Sequence, residues 1–339
     1  MAVIGIDLGT TNSLAGVWQD GKVVLIPNAF GEYLTPSVVS IGKNQEVFVG
    51  SVAKEMLATQ PYDTFREFKR NMGTNFLYGN GRKKYRAEEL SAFVLRRLKE
   101  DAEKFLGEEV TEAVISVPAY FDDNKRNATK NAGRLAGLKV ERLINEPSAV
   151  ALKHHTAEKG AESFIVFDFG GGTLDVSLVE AFDNVVEIQA VAGDNYLGGK
   201  DFNEIIAQDF YEQNQISEAY LTKNEQENVL KEAEAVKKEL TDKNEAERQV
   251  YIKGEAYTLK MTNQRLIHLS AELFSRMAKP IAKVINMVGI ELEELDKVIL
   301  VGGSSKKHGY RDFILRFGGK QSSTRRWFRF SWKWLNKLL

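Results

Sequence analysis

Two segments of the sequence place a carboxylate, glycines and threonine in the same order. IGIDLGTTNSLAGVW contains Asp7 and FIVFDFGGGTLDVSLVE contains Asp168, and in each the Asp-x-Gly turn joins two apolar runs. A carboxylate at a strand end can hold a divalent cation such as Mg²⁺, usually through water. Glycine lets backbone N–H groups approach phosphate oxygens, and threonine hydroxyls add donors. Two such turns predict a phosphate and cation site, whereas one alone would be explained equally well by turn geometry.

The spacing of these segments indicates a duplicated architecture. Asp7 and Asp168 lie 161 residues apart, which is about the length of one domain. A third glycine turn, Gly302-Gly303-Ser304, follows another apolar run. The repeated strand, turn and strand therefore predict two similar lobes.

Strand and helix patterns alternate along the chain of 339 residues. Apolar runs predict strands over residues 2–7, 14–18, 113–117, 140–144, 164–169, 174–179 and 296–301. Apolar residues at helical spacing predict a helix over residues 122–135, with Asp122 as the cap, and a long run laced with opposite charges predicts a second over 225–240. A short helix is expected after Asn145-Glu146-Pro147. This alternation is typical of the α/β class.

Composition excludes several kinds of function. The chain has no cysteine, which excludes a disulfide scaffold, a thiolate zinc site and a cysteine nucleophile, and is compatible with a reducing cytoplasm. Its 46 Lys and Arg nearly balance its 47 Asp and Glu, so the total charge predicts no nucleic-acid or membrane partner. The N-terminus resembles no signal peptide, and no apolar stretch is long enough to cross a bilayer. We therefore expect a cytoplasmic protein.

The C-terminal segment has a different composition. Residues 313–339 carry seven Lys or Arg, no Asp or Glu, and three of the four tryptophans, Trp327, Trp332 and Trp334. The abrupt change resembles translation in another frame or a truncated gene product. The alternative is a functional tail, because interleaved arginine and tryptophan can bind membranes or nucleic acids.

Five ordered segments resemble the nucleotide-binding domain of DnaK-type heat-shock chaperones, most closely the HscC branch. They span residues 3 to about 306 and are IGIDLGTTNSLAGVW, VISVPAYFDDNKRNATKNAGRLAGLKVERLINEPSAVAL, FDFGGGTLDVSLVE, AGDNYLGGKDFN and VILVGGSSK. The resemblance implies an actin-like α/β fold whose two lobes close on ATP or ADP with Mg²⁺. It places lobe I at residues 1–158, with an insertion at about 37–110, and lobe II at 159–312, with an insertion at about 203–290.

The resemblance also implies a role for each matching residue. Asp7 and Asp168 hold magnesium through water. The phosphate-binding residues are Gly9, Thr10, Thr11, Asn12, Gly170, Gly171, Gly172, Gly198 and Gly199. Hydrolysis is assigned to Lys69, which stabilises the γ-phosphate and the attacking water, and to Glu146, Thr173 and Asp175. The base-and-ribose pocket is assigned to Glu234, Lys237, Thr241, Gly302, Gly303, Ser304 and Lys306.

Some assigned positions depart from the family pattern or have a simpler explanation. Thr241 stands where serine is frequent and Lys306 where arginine is frequent, so stacking on adenine is expected to be weaker. Lys69 lies beside Arg66 and Arg70, a pattern that by itself would be typical of a solvated surface.

Partners are implied in the same way. Pro118 and Arg126 match residues that relay nucleotide state to a substrate domain, and Arg142, Asn145 and Ser148 match part of a docking face for a J-domain co-chaperone. The chain stops at Leu339 without the family's linker or peptide-binding domain, so unfolded peptides are expected as partners only if such a domain is supplied. The leading hypothesis is an ATPase module whose activity is expected to be weakened because the family's C-terminal helix is missing. The alternatives are a degenerate nucleotide-binding protein without turnover, and an actin-like sugar kinase, for which no general-base motif is found.

Overall fold

The computed structural model describes residues 2–79, 83–154, 160–182, 185–291 and 294–306. Contacts divide the chain into two units, Met1–Glu146 and Pro147–Leu339. The lobe boundary predicted between residues 158 and 159, and the basic tail over 313–339, fall outside the described residues. Among the residues described, no helix combines the length and apolar character needed to cross a bilayer.

Unit 1 contains a mixed sheet, a smaller sheet and three helices within its described part. The strands are β1 (Ala2–Asp7), β2 (Asn12–Gln19), β3 (Lys22–Ile26), β4 (Thr35–Pro36), β5 (Val38–Ile41), β6 (Val47–Val49), β7 (Thr64–Arg66), β8 (Val110–Val117) and β9 (Leu143–Asn145). The helices are α1 (Ser51–Thr59), α2 (Ala87–Leu106) and α3 (Asp123–Leu135), with a 3₁₀ turn at Phe68–Asn71. The larger sheet has the order β3-β2-β1-β8-β9, with β4 also paired to β2, and the smaller has the order β6-β5-β7.

Buried and exposed residues alternate along β1, and the buried ones face the core of unit 1. Ile4 and Ile6 are buried and pack with residues of α2 and α3. Helix α3 begins at the predicted cap, because the Asp122 carboxylate accepts a hydrogen bond of 2.9 Å from the Lys125 N–H. Strands β1, β8 and β9 are parallel, with Asp7 opposite Ser116 and Val117 opposite Asn145. Their carboxyl ends therefore meet at one edge of the sheet, which brings Asp7 near the end of β9.

Unit 2 contains a four-stranded sheet, a hairpin and helices. Its strands are β10 (Glu162–Phe169), β11 (Leu174–Phe182), β12 (Val185–Asp194), β13 (Glu245–Ile252), β14 (Glu255–Thr262) and β15 (Lys297–Val301). Its helices are α4 (Glu146–His154), which begins at the last residue of unit 1, α5 (Gly199–Gln213), α6 (Lys223–Glu239), α7 (Asn263–Leu269) and α8 (Ala271–Val288). Short 3₁₀ turns lie at Glu218–Tyr220 and Gly303–Lys306. The sheet order is β12-β11-β10-β15, and β13 pairs with β14.

The core of unit 2 packs helices against β10 and its neighbours. Phe169 of β10 contacts Phe202 of α5 at 6.2 Å between ring centroids, and Phe202 contacts Phe274 of α8 at 5.8 Å. Strand β10 pairs antiparallel with β11 and parallel with β15, so that Asp168 lies opposite both Asp175 and Val301. The turns after β10 and β15 therefore lie side by side.

Most predicted elements are present with shifted ends. The two hairpins are confirmed, and the helix predicted over residues 225–240 spans Lys223–Glu239. The strand predicted over 140–144 is instead Leu143–Asn145. The predicted start was wrong: the chain forms an isolated bridge to β8 at Lys139, Val140 lies against Gly133 of α3, and regular pairing begins only at Leu143.

Candidate functional site

The first Asp-x-Gly turn joins β1 to β2 in unit 1. Asp7 is exposed at the end of β1, and its Oδ1 atom accepts a hydrogen bond of 3.1 Å from the Ser116 hydroxyl. A Cβ on Gly9 would lie 2.1 Å from the Asn12 carbonyl oxygen, so the tight turn requires glycine there. The Asp7 carboxylate is thus adjacent to the loop that contains Thr10 and Thr11. A cation bound beside a phosphate group would require this arrangement.

Lys69 and Glu146 form an ion pair in unit 1. The Lys69 Nζ atom donates to Glu146 Oε1 at 3.0 Å, and the two side chains are only 8% and 17% exposed. The ammonium also lies 5.7 Å from the centroid of the Phe121 ring. The surface explanation of Lys69 is therefore wrong: its 3₁₀ turn directs the side chain inward, toward the end of β9.

The environment of Glu146 changes its affinity for a proton. Burial raises the pKa of the Glu146 carboxyl above its ordinary value of 4.5, and the negative charge of Asp7 raises it further. The charge and hydrogen bond of Lys69 act in the opposite direction without cancelling the effect. A carboxyl with a raised pKa beside a buried ammonium is suited to ordering and partly deprotonating a water molecule.

Arg126 connects the segment after β8 with the end of β9. Its Nη2 atom donates to Asn145 Oδ1 at 2.7 Å, and its Nε atom donates to the Phe121 carbonyl at 2.8 Å. Arg126 therefore links the backbone of Phe121, whose ring lies near Lys69, to Asn145, the residue before Glu146. Of the other predicted docking residues, Arg142 is exposed and Ser148 is half-buried in α4.

The second Asp-x-Gly turn, in unit 2, is packed against the start of α5. The Gly170 N–H donates to the Thr173 carbonyl at 3.0 Å, which closes the turn. The Gly199 N–H donates back to the Gly170 carbonyl at 3.0 Å. A Cβ on Gly198 would lie 2.3 Å from the Gly172 nitrogen. The two backbones touch directly, and only glycine permits this approach.

The third glycine turn completes the cluster in unit 2. Gly302 has a φ of +86°, and a Cβ there would lie 2.4 Å from the Phe169 carbonyl oxygen and 2.6 Å from Asp168 Oδ1. The Ser304 hydroxyl donates to the Gly170 carbonyl at 2.9 Å. Three turns that are distant in sequence therefore pack against one another, and the third of them lies against the Asp168 carboxylate.

This packing predicts a large cost for a methyl group at Gly302. Gly302→Ala should lower the stability of the protein by roughly 2–4 kcal/mol, because it adds a left-handed backbone penalty to an overlap with backbone atoms. The matched control is Gly303→Ala, since a Cβ at Gly303 meets no atom within 4 Å. Thermal unfolding of both variants checks the prediction. Equal melting temperatures for the two would contradict the packing described.

The residues assigned to the base and ribose are distributed around the same cluster. The Lys237 ammonium of α6 donates a hydrogen bond to the Gly199 carbonyl, which places it beside the first residue of α5. Glu234, one turn earlier, forms a salt bridge of 2.9 Å with Lys238, and Thr241 follows α6 half-buried. The side chain of Lys306 lies outside the described residues.

Asp175 faces the same cluster from β11. A Cβ on Gly193 would lie 2.9 Å from its Oδ1 atom, so the end of β12 also lies close to this carboxylate. Unit 2 thus brings together the following predicted residues: Asp168, Gly170, Gly171, Gly172, Thr173, Asp175, Gly198, Gly199, Lys237, Gly302, Gly303 and Ser304.

Sequence reasoning missed two contacts in unit 1. Ser116, the donor to Asp7, could have been found from the parallel pairing of β1 with β8, had that register been known. Phe121, which lies against Lys69, belongs to a motif that was identified without assigning it this role.

Comparison with known families agrees with this arrangement. The family model described as Hsp70 protein matches residues 3–80 and 78–325. The match starts where the resemblance started and continues past residue 306, where the resemblance was expected to end. Since the matched segments cover most of the 339 residues, the chain belongs to the Hsp70 family, whose nucleotide-binding domain has the actin-like ATPase fold expected from the sequence.

Proposed function

We propose that this chain is the ATP-binding and ATP-hydrolysing module of a DnaK-type chaperone, closest to the HscC branch. Membership of the Hsp70 family supports the coarser function, a nucleotide-binding chaperone module. The observation that carries the proposal is the packing of three glycine turns on one another directly beside Asp168. Glycine turns can present backbone N–H groups to phosphate oxygens, and the neighbouring carboxylate can hold the accompanying cation.

The donor set fits a hydrated Mg²⁺ ion. Asp7 ends β1 of unit 1 and Asp168 ends β10 of unit 2, and each lies beside a loop proposed to bind phosphate. Mg²⁺ usually keeps several waters and is held by one or two carboxylates together with substrate phosphates. These two residues would hold the ion through water. When bound, the ion would neutralise the charge that develops on the phosphate oxygens.

In the proposed reaction, the protein's own groups act on the γ-phosphate and the water. The Lys69 ammonium stabilises negative charge on the γ-phosphate, and its burial strengthens that interaction. The Glu146 carboxylate accepts a hydrogen bond from the attacking water and so orders it. Thr173 donates from the second phosphate loop. Phosphoryl transfer requires placement of charge and of water more than covalent chemistry, and this set of residues supplies both.

The remaining assignments extend the proposal to the nucleoside and to a co-chaperone. Lys237 and Ser304 would define the ribose side, since both already bond to the backbone of the phosphate loops. Docking of a J-domain protein is proposed at Arg142, Asn145 and Ser148. Arg126 would transmit such docking to Glu146, because it is bonded to Asn145.

Two measurements on the full chain test the function. Isothermal titration calorimetry with ATP and with ADP, each with and without Mg²⁺, measures binding, and a phosphate-release assay measures turnover. Binding together with turnover is expected. Binding of both nucleotides without turnover would favour the degenerate nucleotide-binding protein, and the absence of binding would overturn the proposal.

The proposed metal contacts make a prediction about the two carboxylates. Asp7→Asn and Asp168→Asn should each weaken the Mg²⁺ dependence of nucleotide binding by about 10- to 100-fold, the range typical of groups that act on a metal through a second layer of ligands. In the Asp7 variant the fold should be retained, since the exposed amide can still accept the Ser116 hydrogen bond. Calorimetry at several Mg²⁺ concentrations measures the change.

Asp20→Asn is the matched control for this pair. Asp20 is an exposed turn residue with a φ of 52°, a conformation that asparagine also tolerates. It removes the same charge from unit 1 without touching the proposed site. If Asp7→Asn and Asp168→Asn behave like Asp20→Asn, the metal assignment is wrong.

A further inference from the structure

Two buried serines, Ser13 and Ser37, lie against the first loop proposed to bind phosphate, residues 8–11. Ser37 and Ser13 are 2% and 1% exposed. The Ser37 hydroxyl donates to the Gly9 carbonyl at 2.7 Å, and the Ser37 N–H donates to the Thr11 carbonyl at 2.8 Å. One residue therefore binds two carbonyl groups of the loop.

The direction of the hydrogen bonds follows from the proton count. The hydroxyls of Ser13 and Ser37 are 2.9 Å apart, and geometry alone allows either to donate. A serine hydroxyl has one proton, and that of Ser37 is used on Gly9. Ser13 must therefore donate to Ser37, which gives a continuous chain of hydrogen bonds from Ser13 through Ser37 to Gly9.

The strands place Ser37 at this position. Strand β4 pairs antiparallel with β2, with Ser13 opposite Thr35 and Asn12 opposite Pro36. Ser37 follows directly and lies at the level of the loop, before β5 begins. The sheet thus fixes the backbone of Ser37 beside the loop, where its N–H reaches the Thr11 carbonyl and its short side chain reaches the Gly9 carbonyl.

The two hydrogen bonds from Ser37 determine which backbone groups of the loop face away from Ser37. In a trans peptide the N–H points opposite to the C=O, and the described peptides include no cis bond. With the Gly9 and Thr11 carbonyls directed at Ser37, the N–H groups of Thr10 and Asn12 point away from it. A flip of the peptide after Gly9, which glycine makes easy, would replace an N–H donor by a carbonyl oxygen that repels phosphate.

We infer that Ser37, supported by Ser13, is a positioning residue that keeps the first loop in its phosphate-binding conformation. The inference rests on the proposed function, because it gives the loop a phosphate to bind. Ser37 acts through Gly9 and Thr11 and makes no contact with nucleotide itself.

The test compares binding of ATP with binding of adenosine, which lacks phosphates. Ser37→Ala should weaken Mg²⁺-ATP binding about 10-fold, or about 1.4 kcal/mol, while adenosine affinity changes less than about twofold. Adenosine is the informative ligand because its proposed contacts are residues of unit 2. A merely structural role for Ser37 would lower both affinities alike.

Ser40→Ala is the matched control for the loss of a buried hydroxyl. Ser40 is fully buried three residues further along in β5, where it accepts a hydrogen bond of 2.9 Å from Thr64. The two alanine variants should have similarly lowered melting temperatures without nucleotide, but Ser40→Ala should bind ATP as the wild type does. If Ser37→Ala does not fold, Ser13→Ala tests the same chain of hydrogen bonds and should show a smaller loss that is again specific to ATP.

The outcomes separate this inference from the function on which it rests. Wild-type protein that binds no ATP would overturn both. Wild-type protein that binds ATP, with Ser37→Ala and Ser13→Ala indistinguishable from Ser40→Ala, would overturn the positioning role alone.

Discussion

Replacing Lys69 by alanine should lower kcat for ATP hydrolysis by about 100-fold or more while ADP affinity stays within about twofold of wild type. The buried ammonium is proposed to act on the γ-phosphate and the attacking water, and ADP has neither. Its loss also removes the charge that opposes protonation of Glu146. Single-turnover phosphate release and calorimetry with ADP measure the two quantities separately.

Lys125→Ala provides the control for this prediction. The Lys125 ammonium lies 5.5 Å from the centroid of the same Phe121 ring, but it is not among the residues proposed to act on phosphate. Its substitution should leave kcat near the wild-type value. Equal losses of ADP binding and turnover in Lys69→Ala would instead show that Lys69 serves the structure.

Glu146→Gln should lower kcat by about 100-fold and remove the acidic limb of the pH-rate profile. In the wild type, the raised pKa of Glu146 means that the carboxyl is still partly protonated above pH 4.5. Activity that depends on the carboxylate should therefore fall at a higher pH than an ordinary glutamate would cause. Phosphate release between about pH 4.5 and 8 measures the limb.

Stability should change in the opposite direction over the same interval. Because the folded pKa is raised, the folded protein binds more protons than the unfolded chain between pH 4.5 and that folded pKa. This contribution to stability is present below pH 4.5 and is lost as the pH rises through the folded pKa. Glu146→Gln should abolish this slope in thermal unfolding. If Glu146→Gln keeps the acidic limb of the pH-rate profile, a group other than Glu146 is responsible for that limb.

Local features of the fold could be predicted because neighbouring residues determine them. The hairpins around Asp7 and Asp168 depend on apolar alternation and a glycine turn, and the start of α3 depends on Asp122 accepting a hydrogen bond three residues on. Strand β9 begins later than predicted because the chain meets β8 only at an isolated bridge between Glu112 and Lys139 and pairs regularly with it from Leu143 on, which the local pattern cannot show.

The contacts of the candidate site depend on distant residues instead. Lys69 and Glu146 are 77 residues apart, and only the family resemblance suggested that both serve one site. The sequence around Lys69 favoured a solvated surface, because burial of a lysine depends on a partner that local spacing cannot show. Ser37 carried no signal, since a serine after Thr-Pro is common in turns.

The parallel pairing of β10 with β15 has a consequence for synthesis on the ribosome. Strand β11 follows β10 directly, but the partner on its other side arrives 133 residues later, as the bond between Ser163 and Asp296 shows. At about 5–20 residues per second, translation of that interval takes roughly 7–27 s. During this time the apolar strand β10 has an open edge, which is a template for aggregation.

The same delay applies to the cluster of glycine turns in unit 2, where phosphate is proposed to bind. Gly302 and Ser304 follow β15, so Asp168 acquires these neighbours only when the end of the unit has left the ribosome exit tunnel. The nascent chain therefore cannot gain stability from nucleotide at this cluster while β10 is exposed.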